Sequence, residues 1–77
     1  MRKEVKMKKI LIHTEYIELQ NVLKKSGIIF TGGEAKIFLK ENVVYVNGEQ
    51  ENRRGRKLYP GDQVKVNNEI YLIEKEC

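Results

Sequence analysis

Arg53, Arg54, Arg56 and Lys57 fall within five positions of a segment that reads VVYVNGEQENRRGRKLYPGDQVKV from Val43 to Val66. Arginine presents a planar fork that matches paired oxygens of a phosphate, and lysine adds a mobile point charge. Four cations so close repel one another unless they stay solvated or face a polyanion. Asn47-Gly48 on one side and Pro60-Gly61-Asp62 on the other are turn signals, the first among the strongest for a tight hairpin. A cationic loop held between two turns is suited to be a phosphate-binding edge.

A second group precedes it. Thr31-Gly32-Gly33 runs into an amphipathic stretch, and glycines at such a point let a phosphate approach the free N–H groups of a helix start. Neither a P-loop nor GxGxxG is present, because no Gly-Lys-Ser/Thr follows. Lys36 and Lys40, four apart, share one face of that helix, and the expectation is that they and the 53–57 loop form one positive surface. The loop cations are also expected to contribute little to stability.

Chemistry of other kinds finds no support. His13 is the sole histidine and Cys77 the sole cysteine. No metal-ligand spacing and no Ser/His/Asp set can be built from them. Neither catalytic residues nor a metal nor a cofactor is therefore expected. Asp62 reads as a turn cap, and Glu49 and Glu51 as restraints on the charge of the basic loop. Phe30, Phe38 and Tyr45 read as core, and Tyr59 reads first as packed, with base stacking as its second role.

These residues need elements to hold them. The chain has 77 residues, with 15 Lys+Arg against 11 Asp+Glu and 40% hydrophobic residues. A domain this small buries only about 60% of its unfolded surface, which leaves little room for a deep cleft. Val5 to Ile12 reads as a strand, preceded and overlapped by Arg2, Lys3, Lys6, Lys8 and Lys9. Its apolar run, Ile10-Leu11-Ile12, is too short for a signal peptide or a membrane span. A lone terminal cysteine fits a reducing cytoplasm.

Thr14 can cap a first helix in which Tyr16, Leu19, Val22 and Leu23 form an apolar stripe, with Gly27 as its left-handed C-cap. Ile28-Ile29-Phe30 reads as a buried connection. Thr31 with Glu34 makes a capping box for the second helix, whose Ala35, Phe38 and Leu39 face the core and whose end Asn42 can cap. Strands follow at Val43–Val46, Gln63–Val66 and Ile70–Ile73. Leu19, Leu23, Phe38, Leu39, Val44 and Val46 are the expected core. The fold class is α+β: two helices packed on a small, mostly antiparallel sheet.

Leu19-Gln20-Asn21-Val22-Leu23-Lys24-Lys25-Ser26-Gly27, Thr31-Gly32-Gly33-Glu34-Ala35-Lys36, Val43-Val44-Tyr45-Val46-Asn47-Gly48 and Gly61-Asp62, in this order, resemble the alpha-L RNA-binding motif, the domain named after ribosomal small-subunit protein S-four. Thr-Gly-Gly-Glu-Ala-Lys followed by Asn-Gly-Glu and Arg-Arg-Gly-Arg-Lys-Leu is most similar to its free-standing YaaA/YbcJ-type subfamily. The resemblance spans about residues 16–66 of what reads as one domain over 1–77. It implies structured RNA as the partner, ribosomal RNA or the ribosome and its precursors; a cytoplasmic monomer is expected alongside. By position, the opening hydroxyl is Thr31, the cation after Ala is Lys36, and the basic loop is Arg53, Arg54, Arg56 and Lys57. Gly32 stands where the broad family often has Arg, and Glu18 and Gln20 where it has Arg and Asp. That shifts weight from the helix start to the loop.

RNA also suits such a cationic edge on chemical grounds alone. A-form RNA hides its base edges, so proteins read its backbone, its 2′-hydroxyls and its unpaired bases. Two other readings compete. Val-Asn-Gly-Glu with a Gly-Asp turn also occurs in β-grasp sulfur carriers, but those act through a C-terminal Gly-Gly and this chain reads Glu74-Lys75-Glu76-Cys77. An interaction adaptor whose basic loop meets an acidic protein is the third.

Overall fold

A computed structural model describes residues 6–76. Arg2, Lys3, the Val5 start of the first strand and Cys77 lie outside the described residues. The elements are β1 (Lys6–Ile12), β2 (Ile17–Glu18), α1 (Leu19–Lys25), α2 (Gly32–Glu41), β3 (Val44–Val46), β4 (Glu49–Gln50), β5 (Lys57–Leu58), β6 (Gln63–Val66) and β7 (Glu69–Lys75). Five strands form one sheet in the order β1-β7-β6-β3-β4, and β2 with β5 forms a two-stranded ribbon. All pairings are antiparallel except that of β1 with β7. This is the expected α+β class.

The pleat decides the core. Successive side chains of a strand point to opposite faces, so Val44 and Val46 of β3 face inward with Val64 and Val66 of β6. Ile10 and Ile12 of β1 and Tyr71 and Ile73 of β7 continue that face. Leu19, Val22 and Leu23 of α1 and Ala35 and Leu39 of α2 cover it, joined by Ile17, Ile29 and Leu58. The same alternation turns Tyr45 outward, so it is exposed and not core. Phe30 is not core either, at 82% exposed, and Phe38 is only partly buried at the edge of the helix seam. Ile29 alone of the Ile28–Phe30 connection is fully buried.

Turn chemistry fixes the connections. Asn47 (φ 51°) and Gly48 (φ 85°) both take the left-handed conformation that a two-residue hairpin needs, which returns the chain as β4. Gly27 (φ 83°) closes α1 in a Schellman motif: its amide donates to the Lys24 carbonyl and that of Ile28 to the Leu23 carbonyl.

The first helix starts later than its sequence suggests. Thr14 is no helix cap; its hydroxyl donates to the Tyr16 carbonyl at 2.7 Å, and Tyr16 is exposed. Tertiary pairing overrides the local signal, because Ile17 and Glu18 pair with Leu58 and Lys57. Glu18, the N-cap residue, makes no side-chain cap. Instead the Leu19 and Gln20 amides each donate at 2.9 Å to the carbonyls of Arg56 and Arg54. The basic loop thus satisfies two of the orphan donors of α1.

Candidate functional site

Thr31 caps α2 as expected: its hydroxyl oxygen accepts from the Glu34 amide at 3.3 Å. The Glu34 carboxylate accepts in turn from the Phe30 amide at 3.4 Å. Asn42 closes the other end, donating from its amide and its side chain to the Phe38 carbonyl at 2.8 and 3.1 Å. A Cβ on Gly33 would meet only the Thr31 hydroxyl, at an ordinary 3.9 Å, so packing does not require glycine there. A Cβ on Gly32 would come to 3.0 Å from Gln20 Oε1, whose flexible side chain would have to yield. Both near atoms, Gln20 Oε1 and Lys24 Nζ, are ends of flexible side chains, so packing does not demand glycine at 32 either.

The 53–57 loop is built around Glu51, which lies under the surface at 7% exposed. Its carboxylate accepts from the Asn52 amide at 3.1 Å and from the Arg53 amide at 3.0 Å. Arg53 Nε and Nη2 each donate to it at 3.0 Å, a bidentate fork, and Arg56 Nη1 donates at 2.8 Å. The hydrogen bonds from the Arg53 side chain hold this carboxyl at about 2 against an ordinary 4.5. The Arg53 amide and the Arg56 guanidinium add to that effect, and burial opposes it. Glu51 therefore stays ionised and binds two of the four loop cations, the restraint expected of it; Glu49 lies exposed on β4.

Arg53 is consequently no free loop cation, and its removal would leave a covered carboxylate with a weaker partner set. Arg54 crosses to α2, where Nη1 donates to the Gly32 carbonyl at 3.1 Å. Lys57 Nζ lies 4.9 Å from the centre of the Tyr16 ring, and Tyr16 and Tyr59 form a tilted aromatic pair at 6.0 Å. Tyr59 thus packs, the preferred of its two expected roles.

The structure therefore joins Gly32 to Arg54, and Arg53 to Arg56 through Glu51. Lys36 and Lys40 are exposed. They follow Gly32 at four-residue intervals along one side of α2, but no hydrogen bond or ion pair among the described residues links them to the loop. Sequence reading missed Lys24. Its ammonium lies 3.9 Å from where a Cβ of Gly32 would be, a second cation at the positive end of a helix. Its signal was four-residue spacing from Gln20 on α1, which says nothing about α2. At the start of the chain, Lys8 and Lys9 pair with Glu69 at 3.4 Å and Glu74 at 3.7 Å.

Among the described residues, no three His, Cys, Asp or Glu side chains gather as a metal site, and no helix is long and apolar enough to cross a membrane. Lys24 and Arg54 both come close to Gly32 at the start of α2, and two cations beside the first N–H groups of a helix are an arrangement suited to an anion. The family described as "S4 domain" matches residues 10–74. A protein of Bacillus subtilis (strain 168) described as "Probable ribosome maturation protein RlbA" is 54% identical over 57 residues, covering 74% of this chain and 80% of that protein.

Proposed function

Because this chain belongs to the S4 domain family, we propose that it is a non-enzymatic RNA-binding module acting on structured RNA of the ribosome or its precursors. Residues 1–77 work as one monomeric domain in the cytoplasm. The membership removes the sulfur-carrier reading. The relative named as a probable ribosome maturation protein supports a ribosomal target here.

One observation carries the binding mode: Arg54 docks on the Gly32 carbonyl at 3.1 Å. It brings the basic loop to the start of α2, where a phosphate meets free N–H groups and several cations at once. Thr31, Gly32 and Gly33 shape the helix start, Lys36 and Lys40 extend the surface along α2, and Arg53, Arg54, Arg56 and Lys57 supply the edge. The cations approach backbone phosphates, so recognition is of RNA shape more than of sequence.

A salt titration against ribosomal RNA fragments tests this. With roughly four phosphates neutralised, log K falls with log salt at a slope of about −3. Arg54→Ala flattens that slope by about one, since Arg54 carries no structural carboxylate. Unchanged affinity and slope in this variant would remove the loop from the RNA site. Binding to an acidic protein with no affinity for RNA would point to the adaptor instead.

A further inference from the structure

Phe30 is the most exposed large hydrophobic residue among those described, at 82%. Exposure alone needs no explanation, since single apolar residues often sit in solvent. Its place does. The backbone is anchored on both sides: Ile29 is buried, Thr31 caps α2, and the Phe30 amide is held by the Glu34 carboxylate. The ring therefore stands in solvent from a fixed base. Two residues on, Gly32 meets the guanidinium of Arg54 and lies near the ammonium of Lys24. Two residues span at most about 7 Å of chain, within the reach of one nucleotide from its phosphate.

The other exposed aromatics lack this combination. Tyr16 and Tyr59 pack on each other under Lys57. Tyr45 faces out from the middle of the sheet, opposite Gln50 and Lys65 in register.

We propose that the ring of Phe30 is a stacking platform for an unpaired RNA base whose backbone phosphate sits at the start of α2. The proposal rests on the RNA-binding reading above. Cations on one side favour a nucleotide over an apolar protein side chain, which gains nothing from them. Stacking tolerates any base, because every base has a π-face. The site then distinguishes RNA with unpaired bases from continuous duplex.

The chain has no tryptophan, so Phe30→Trp installs a single fluorescent reporter. The probes are a ribosomal RNA hairpin with an unpaired loop and a fully paired duplex of the same stem. Tryptophan emission is expected to change on the hairpin and not on the duplex. Phe30→Ala weakens hairpin binding roughly five- to hundredfold, the range set by stacking energies of one base. Its salt slope stays that of wild type, because a ring neutralises no charge. Its melting temperature also stays within about two degrees of wild type, since an exposed surface site contributes little to folding.

Wild-type affinity in Phe30→Ala, or an equal loss on hairpin and duplex, overturns the stacking role while leaving loop-dependent binding intact. Absence of salt-dependent binding in the wild type overturns both readings, and it is seen without any variant.

Discussion

Glu51→Gln is the sharpest test of how the basic loop is held. In the wild type the carboxyl sits at about 2 against an ordinary 4.5. A folded-state value below the unfolded one means that ionised Glu51 stabilises the fold. That stability is full above about pH 4.5 and is lost as pH falls towards 2. At full value the displacement corresponds to roughly 3 kcal/mol. Arg53 is 71% exposed and Arg56 35%, so solvent screens the pair, and about 2 kcal/mol is the expected share. For a domain of this size that lowers the melting temperature at neutral pH by roughly 8–16 °C. The assay is urea unfolding followed by circular dichroism from pH 2 to 7 for both proteins. The stability gap between them is expected to be constant above about pH 5 and to close towards pH 2. A gap that is absent at pH 7, or that does not change with pH, would refute an ionised Glu51 as the centre of the loop.

Thr31→Ala removes the hydroxyl that accepts from the Glu34 amide; thermal unfolding should show a loss of about 1 kcal/mol, with Thr31→Ser near wild type. Leu58 is fully buried on β5, one residue past the loop, so Leu58→Ala should cost about 3 kcal/mol in urea unfolding, of the 2–5 typical for such truncations.

Local chemistry was legible where it acts over a few residues. Asn47-Gly48, Gly27, the Thr31–Glu34 cap and Asn42 each announce a conformation that their own side chains or φ angles enforce. Val44 and Val46 were legible as core, and their alternation already implied that Tyr45 faces outward, an implication hidden by treating aromatics as core by type; Val64 and Val66, buried beside them, went unnamed. The start of α1 was not legible, because its cap is supplied by carbonyls at Arg54 and Arg56, more than thirty residues away in sequence. The two-residue strands β2, β4 and β5 are too short to show a period. At the site, the cations stood out by density, whereas Lys24 joined them only through the packing of α1 on α2.

The central carboxylate changes what a dense cationic loop can do. Four positive charges in five residues repel, and a free loop would spread them and bind any polyanion loosely. Glu51 cancels one of the four and fixes two guanidiniums through their Nε, Nη2 and Nη1 atoms, while the Arg53 side chain stays 71% exposed. The loop backbone is committed as well, through the α1 amides that it caps. Ordering is thus completed on folding and not charged against binding, when each rotamer-rich side chain immobilised would cost roughly 0.5–1.5 kcal/mol. The loop surrenders one unit of net charge, and with it some attraction at long range. In return it presents donors at fixed spacing, and fixed spacing is what lets a protein that touches mainly phosphates tell one RNA shape from another.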